Sequence, residues 1–496
     1  MRHFSLNKVL FIAAIIIFLV LFIHPIDADG DFYHHVNIGQ DIITHHAFTH
    51  VDTLTFTASG RDYVGNGWLS GVIFYLVFTR IGALGINILN YAAALLTLIL
   101  LYWYIHKCLH VSLRVTLLTL LITVPVVATR WPYRPEMFMY VLLLGFFLLD
   151  YYKTSRPWVS LLFPVLTILL AMFYGAGFPL VAFILVLLFV VNLLQQKKFH
   201  VHWLFYASIL ISFPVAYFNG YGLKSLLFIF LIPKMTFLWG DWIGLWEIIR
   251  RPELNFAREI IIIYCLFTVY MVALLAVSYK KIFRYPMLAL LAATVFMPFW
   301  EVRMRTFAAI LSAPFIALAL SKPSPRWLLY IGGAVGIVMT VLFAITNPMG
   351  VGENTKIFPP QLIQFIQTNN LTGNVFNSPR TGAFLSYHLA PKVKVFVDTR
   401  DDLFIGTGVL EAIQAFFGNQ ASVSYLLHKY HIDFIVVNLT DGTSTRDLIY
   451  DPTWALVYFQ DDYLIFVPRT VAVAKHMTIL DTIDPYSPTG AKTTGL

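Results

Sequence analysis

Charge is scarce in this chain. Only 12% of its 496 residues are Asp, Glu, Lys or Arg and 58% are hydrophobic, whereas an ordinary soluble domain carries about 25% charged and about 45–50% apolar residues. A soluble enzyme and a disordered chain are excluded. Cysteine is nearly absent: Cys108 and Cys265 are the only two, too few and too far apart for a disulfide framework or a thiolate metal site. No Gly-rich phosphate loop, nucleophile elbow or Cys-x-x-Cys occurs, which excludes a nucleotide-driven engine on this chain. Acids are the scarcer charge, 26 against 34 basic residues for a net +8. The bases form short clusters between apolar runs and make no basic stripe, so they set topology and do not bind nucleic acid.

What is abundant is long apolar sequence. Runs lie at residues 9–23, 83–105, 112–129, 136–151, 158–174, 179–195, 202–218, 259–278, 286–300, 306–320 and 327–346, about eleven membrane spans. The first, after Arg2 and Lys8, reads as a signal anchor with its N-terminus inside, because HPIDADGD offers no small-x-small cleavage site. That register puts Lys107 with Arg114, Lys153 with Arg156, Lys197 with Lys198, Lys280 with Lys281 and Arg284, and Lys322 with Arg326 in cytoplasmic connections, as the positive-inside rule requires. Residues 1–346 form the expected membrane domain of a multi-pass protein of the cytoplasmic membrane. Residues 347–496 are more polar and mixed in pattern, and are expected as an external, periplasmic α/β domain. Its strand candidates include Val393–Val397, Asp433–Val437 and Tyr463–Val467.

Two features break the pattern on the outer side. Arg130, Arg134, Arg250, Arg251, Arg258, Arg303 and Arg305 fall in outside connections, against the charge rule. Such arginines either snorkel and pair structurally or grip an anionic phosphate. The connection at 25–82 is far longer than usual and carries two helical segments, about 34–44 and 68–78. The second, rich in aromatics, is too short to span and reads as interfacial.

Three carboxylates, Asp27, Asp29 and Asp31, stand within five residues where the chain leaves the first span. Crowding like charges makes at least one a better base, and a nearby cation reverses that. Nearby lie His34, His35, His45, His46 and His50. Adjacent histidines on a helix point about 100° apart, so bonding to loop carbonyls suits them better than a metal cluster. A divalent cation, Mg or Mn, fits the hard oxygens of Asp29 and Asp31 better. Further along, Asp241 and Glu247 lie among tryptophans of the aromatic belt and offer acceptor-hydroxyl partners. The tail run Asp398-Thr-Arg400-Asp401-Asp402 follows a strand, and reads first as an ion pair satisfying that loop.

The run DGDFYHHVNIGQDI followed by VDTLTFTASGRDYVGNGWLSGVIFYLV resembles the first external loop of the bacterial GT-C superfamily of membrane glycosyltransferases. Matching positions are Asp29, Asp31, Tyr33, His35, Gly39, Asp52, Trp68 and Leu69. RPEMFMYVLLL from Arg134, FYGAGFP near Tyr174, RMRTFAAILSAPFIALAL from Arg303, KVFVDTRDDLF and WALVYFQDDYLIFVPR continue the likeness. Departures are Tyr33 and His34 where paired Trp is common, Gly71 for a frequent acid, and Tyr174-Gly-Ala-Gly177 for Asn-x-His-Gly.

The resemblance implies a GT-C type polytopic helical fold with a C-terminal external α/β domain. It also implies a mannosyltransferase-like activity: transfer of a hexose or pentose from a polyprenyl-phosphate sugar donor to a glycan, lipid or protein acceptor at the outer face, with inversion. By that likeness Asp31 is the general base with Asp29 as alternate. Arg303, Arg305, Arg130 and Arg134 are donor-phosphate partners. His35, Asp52 and Trp68 support the loop or acceptor. No cofactor beyond the divalent cation is implied. The alternatives are a secondary transporter, which would need ionisable residues at mid-depth where this sequence has few, and a non-catalytic protein of envelope polysaccharide assembly.

Overall fold

The computed structural model describes residues 15–26, 31–131, 133–196, 203–228, 230, 243–251, 258–282, 294–321, 326–417, 429–439 and 446–480. The chain divides into two compact units. The first comprises Met1–Ile26, Asn66–Ser70 and Val77–Gly352; the second comprises Asp27–Gly65, Gly71–Leu76 and Glu353–Leu496.

The first unit is helical. Ala83–Cys108, Gly175–Leu194, Arg258–Ser278, Val302–Ser321 and Trp327–Thr346 are five helices long and apolar enough to cross a membrane. Leu113–Ala128, Pro157–Phe173 and Trp203–Ala216 are shorter apolar helices, and Glu136–Tyr152 is a further helix of 17 residues. Burial sorts them: 83% of the apolar stretch of Val302–Ser321 is buried against 28% for Trp327–Thr346, so the former is central and the latter peripheral. Ala308, Ser312 and Ala317 are buried on the central helix; small residues let neighbouring backbones approach where lipid supplies no hydrophobic drive between helices. Tyr330, Ile345, Val269 and Leu194 remain exposed, apolar outer surface of the kind lipid covers.

In the second unit a five-stranded sheet has the order β2-β1-β3-β5-β4, with β1 Gly373–Asn377, β2 Val393–Val395, β3 Phe434–Asn438, β4 Trp454–Gln460 and β5 Tyr463–Pro468. β1 pairs parallel with β2 and β3, and β5 pairs antiparallel with β3 and β4. The parallel β1–β2 pair needs a crossover, supplied by the Pro379–Leu389 helix. The hairpin closes through Asp461 and Asp462, both at positive φ (50° and 64°), the backbone that a two-residue hairpin turn demands and Asp tolerates. The strands expected at 393–397, 433–437 and 463–467 are these β2, β3 and β5.

The early loop belongs to this sheet unit. Thr55 bridges Val395 in parallel, and Val395 donates its N–H to Leu54 O at 3.2 Å, so the loop covers the β2 edge that would otherwise stay open. The expected loop helix is present as Asp31–His45. It packs on the Pro379–Leu389 helix, with Asn37 Nδ2 donating to Ala383 O at 3.0 Å. Gly39 and Gly71 allow a close crossing: a Cβ on Gly39 would lie 2.1 Å from Gly71 O, and one on Gly71 would lie 2.5 Å from His35 O. No larger side chain fits there, which accounts for Gly71.

Candidate functional site

In the first unit, three of the sequence-selected arginines lie around one acid. Glu136 opens its helix and is 4% exposed. Its carboxylate stands 3.6 Å from Arg130 and 3.5 Å from Arg303, and Arg134 is near enough to act on its charge. Arg303 also faces Glu301 at 3.6 Å and donates to the Tyr174 hydroxyl at 2.9 Å. A small cavity of about 20 Å³ adjoins these groups, lined by Arg130, Glu136, Tyr174, Glu301 and Arg303 among others; that is room for about one water.

The local sequence explains the assembly. Pro135 precedes the helix and places Glu136 in its first turn, where the helix dipole favours an acid. Tyr174 terminates the preceding helix in an extended conformation, φ −158°, and the short Gly175–Gly177 turn follows. A Cβ on Gly177 would lie 2.4 Å from Met139 Sδ, so glycine permits this turn to press against the helix that carries Glu136.

Arg305 is used differently from its neighbours. Its Nε donates to Thr129 Oγ1 at 2.8 Å, its Nη2 to Thr129 O at 2.7 Å and its Nη1 to Val302 O at 3.1 Å. Thr129 caps the Leu113–Ala128 helix, and Arg305 thereby satisfies a helix-end carbonyl that would otherwise be orphaned. Trp68 donates its indole N–H to Asn219 O at 2.6 Å. Glu247 makes an exposed pair with Arg251 at 3.1 Å, while Arg250 lies over the Trp246 ring at 4.5 Å. Asp241 lies outside the described residues.

The remaining candidates sit in the second unit. Asp31 lies in the first turn of its helix, where the helix dipole favours an acid. Asp29 lies outside the described residues. Two residues on, Tyr33 is fully buried among Phe358, Phe384 and Tyr387 and donates its hydroxyl to Glu353. Burial raises the Glu353 carboxyl above its ordinary range, and the Tyr33 bond opposes it. His35 is buried against Phe74 and beside His34. Burial lowers His34 well below the usual imidazole range, helped by His35 and Arg400, so it is neutral at pH 7.

Asp52 belongs to a buried ionic triad. Arg400 Nη2 reaches Asp52 at 2.7 Å and Asp398 at 2.6 Å, and its Nε bonds both Asp398 oxygens at 2.9 and 3.0 Å. Asp52 also accepts from the Thr55 N–H and hydroxyl, and Tyr63 covers the guanidinium at 5.0 Å. Burial works against the Arg400 charge, but Asp398 and then Asp52 hold it protonated beyond the ordinary range. Asp402, next in the same run, is pushed up to about 7 by burial, with Arg400 opposing. Among the described residues no group of three or more His, Cys, Asp and Glu side chains is arranged to hold a metal ion.

Sequence reasoning missed Glu136 and Glu301 as partners of the arginines. The signal available was the run Arg-Pro-Glu at 134–136, an acid at a helix start beside unexplained bases.

No protein-family model and no curated protein matches the sequence. Solved structures do match. The chain is similar to ArnT from Cupriavidus metallidurans in its apo state, with TM-score 0.54 and 9% identity over 92% of this chain and 97% of that one. It is also similar to the same protein bound to undecaprenyl phosphate, with TM-score 0.52 and 10% identity over the same shares. The mycobacterial arabinofuranosyltransferase AftD gives TM-score 0.51 at 14% identity over 93% of this chain, which spans only 40% of AftD. The chain therefore shares the fold of ArnT and of the matched part of AftD.

Proposed function

We propose that this chain is a membrane glycosyltransferase that takes a sugar from a polyprenyl-phosphate donor and passes it to an acceptor hydroxyl at the outer face of the cytoplasmic membrane. The observation that carries this reading is the buried Arg130–Glu136–Arg303 cluster, an arginine pair at helix ends in a fold matched along 92% of the chain to a protein solved with undecaprenyl phosphate. Arginine binds phosphate through a planar fork of donors, and a departing phosphate needs cations to stabilise it. In this reading Arg303 and Arg130 hold the donor phosphate, Arg134 supplies further positive charge, and Arg305 fixes the wall beside them through Thr129.

Asp31 acts as general base, with Asp29 as the alternate, and transfer proceeds with inversion. His35, Asp52, Trp68, Asp241 and Glu247 support the loop or the acceptor. About eleven spans carry the chain to an external C-terminal domain, and any divalent cation is held by Asp29 and Asp31. The test is sugar transfer from a panel of radiolabelled polyprenyl-phosphate sugars in membranes carrying wild type, Asp31→Asn or Asp29→Asn. A loss of about a hundredfold or more in one variant at unchanged expression supports the reading, since general-base catalysis contributes about 10²–10⁴-fold. Transfer unchanged in both variants removes the assigned base.

A further inference from the structure

The cluster in the first unit contains an acid that phosphate binding alone does not call for. Glu136 stands between Arg130 and Arg303 at 3.6 and 3.5 Å, longer than the 2.7–2.9 Å or so of a charge-assisted hydrogen bond. Arg303, by contrast, makes its bond to Tyr174 at 2.9 Å. The carboxylate is thus held between the two arginines by charge more than by directed bonds, and the adjoining cavity of about 20 Å³ admits about one water and no phosphate group. A phosphate reaching these arginines has to take the place of something, and the group that faces both is the Glu136 carboxylate.

Resting on the donor-site reading above, we propose that Glu136 is a resident counter-ion: the donor phosphate displaces its carboxylate from Arg303 and Arg130, and the carboxylate returns when the phosphate leaves. The charge arithmetic favours such an exchange. A buried charge without a partner is costly, and Glu136 balances the arginine pair while the site is empty. A polyprenyl-phosphate sugar is a phosphodiester with one negative charge, so the exchange puts one anion in place of another on Arg303 and Arg130, while the displaced carboxylate keeps Arg134, which already acts on its charge. The free polyprenyl phosphate left after transfer is a monoester carrying about −1.5 to −2 at pH 7. It would be held harder than the donor by an arginine pair with no competitor. Glu136 competes with it and so speeds product release.

The experiment measures binding of undecaprenyl phosphate to the purified full chain, and its inhibition of transfer, for wild type, Glu136→Gln, Glu136→Asp and Arg303→Gln. Glu136→Gln should bind the lipid at least about tenfold more tightly and show a matching rise in product inhibition. Glu136→Asp, which keeps the charge, should stay within about threefold of wild type. A purely packing role for Glu136 predicts no tightening, and that result overturns the proposal. Because Glu136→Gln strands two buried arginines, a charge-balanced pair is read beside it: Arg130→Gln/Glu136→Gln should bind about tenfold more tightly than Arg130→Gln, and equal binding also overturns the proposal. Arg303→Gln separates the two levels. If it weakens binding while the Glu136 variants do nothing, the donor site stands and the counter-ion falls; if it leaves binding unchanged, the donor-site reading itself falls.

Discussion

Replacing Arg400 by Met removes the guanidinium from a site where Asp52 and Asp398 lie at 2.7 and 2.6 Å and all three side chains are at most 5% exposed. Methionine fills much of the volume and supplies no hydrogen bond, so the two carboxylates stay buried without their cation. Breaking a buried ion pair by removing one partner costs about 3–5 kcal/mol. At about 2–4 °C per kcal/mol for a unit of 150–250 residues, the melting temperature of the detergent-solubilised protein should fall by about 6–20 °C at pH 7.5. Acidification to pH 5 should recover part of the loss, because protonating a stranded carboxylate removes its uncompensated charge. Adding Asp52→Asn to Arg400→Met should also recover part of it, because one buried charge fewer is left. A variant that melts within about 2 °C of wild type at pH 7.5 would refute the claim that this triad holds the 50–63 loop on the sheet unit.

Arg305→Gln should lower the melting temperature by several degrees, as it loses charge-assisted bonds worth about 1.5–3 kcal/mol each, with donor KM little changed in the protein that remains folded. Arg303→Gln should instead raise donor KM or abolish transfer in the protein that remains folded; kinetics on both variants separate the roles. Asp402 has its carboxyl raised to about 7 by burial. A raised acid favours folding while protonated, so its contribution is complete below about pH 4 and is lost as pH rises through about 7. Asp402→Asn should therefore flatten the fall of melting temperature between pH 4 and 8 by a few degrees, the partial exposure of the side chain limiting the effect. Tyr450, 68% exposed, replaced by Cys should label with an impermeant maleimide in intact cells once the outer barrier is opened; protection there contradicts an external C-terminal domain.

Much of the architecture was legible because lipid imposes a simple code. Apolar runs at 83–105, 259–278 and 327–346 became helices because an isolated backbone in hydrocarbon must bond internally. Val393–Val395 and Tyr463–Pro468 could be read from β-branched and aromatic residues bounded by turn formers. The strand Gly373–Asn377 was harder, since Gly-Asn-Val-Phe-Asn has only two apolar residues and owes its place to pairing on both sides. The site was legible in parts. The arginines at 130, 134, 303 and 305 stand out in the sequence as exceptions to the charge rule, but Glu136 looks like an ordinary helix-start acid until folding sets it between Arg130 and Arg303. The Asp52–Arg400 pair joins segments far apart in the chain, and no local periodicity reports such a contact.

As the proposed glycosyltransferase, this chain should cleave the sugar–phosphate bond of a lipid-linked donor. The most direct measurement is a single-turnover reaction of the purified chain with a radiolabelled polyprenyl-phosphate sugar and membrane-extracted acceptors, following glycosylated product and free polyprenyl phosphate together. Wild type should give equal amounts of the two, and both should be lost with Asp31→Asn and with Arg303→Gln. If folded wild type releases neither product from any donor, while those variants still restore the phenotype of a deletion strain, the catalytic account is contradicted and a non-catalytic role in envelope polysaccharide assembly takes its place.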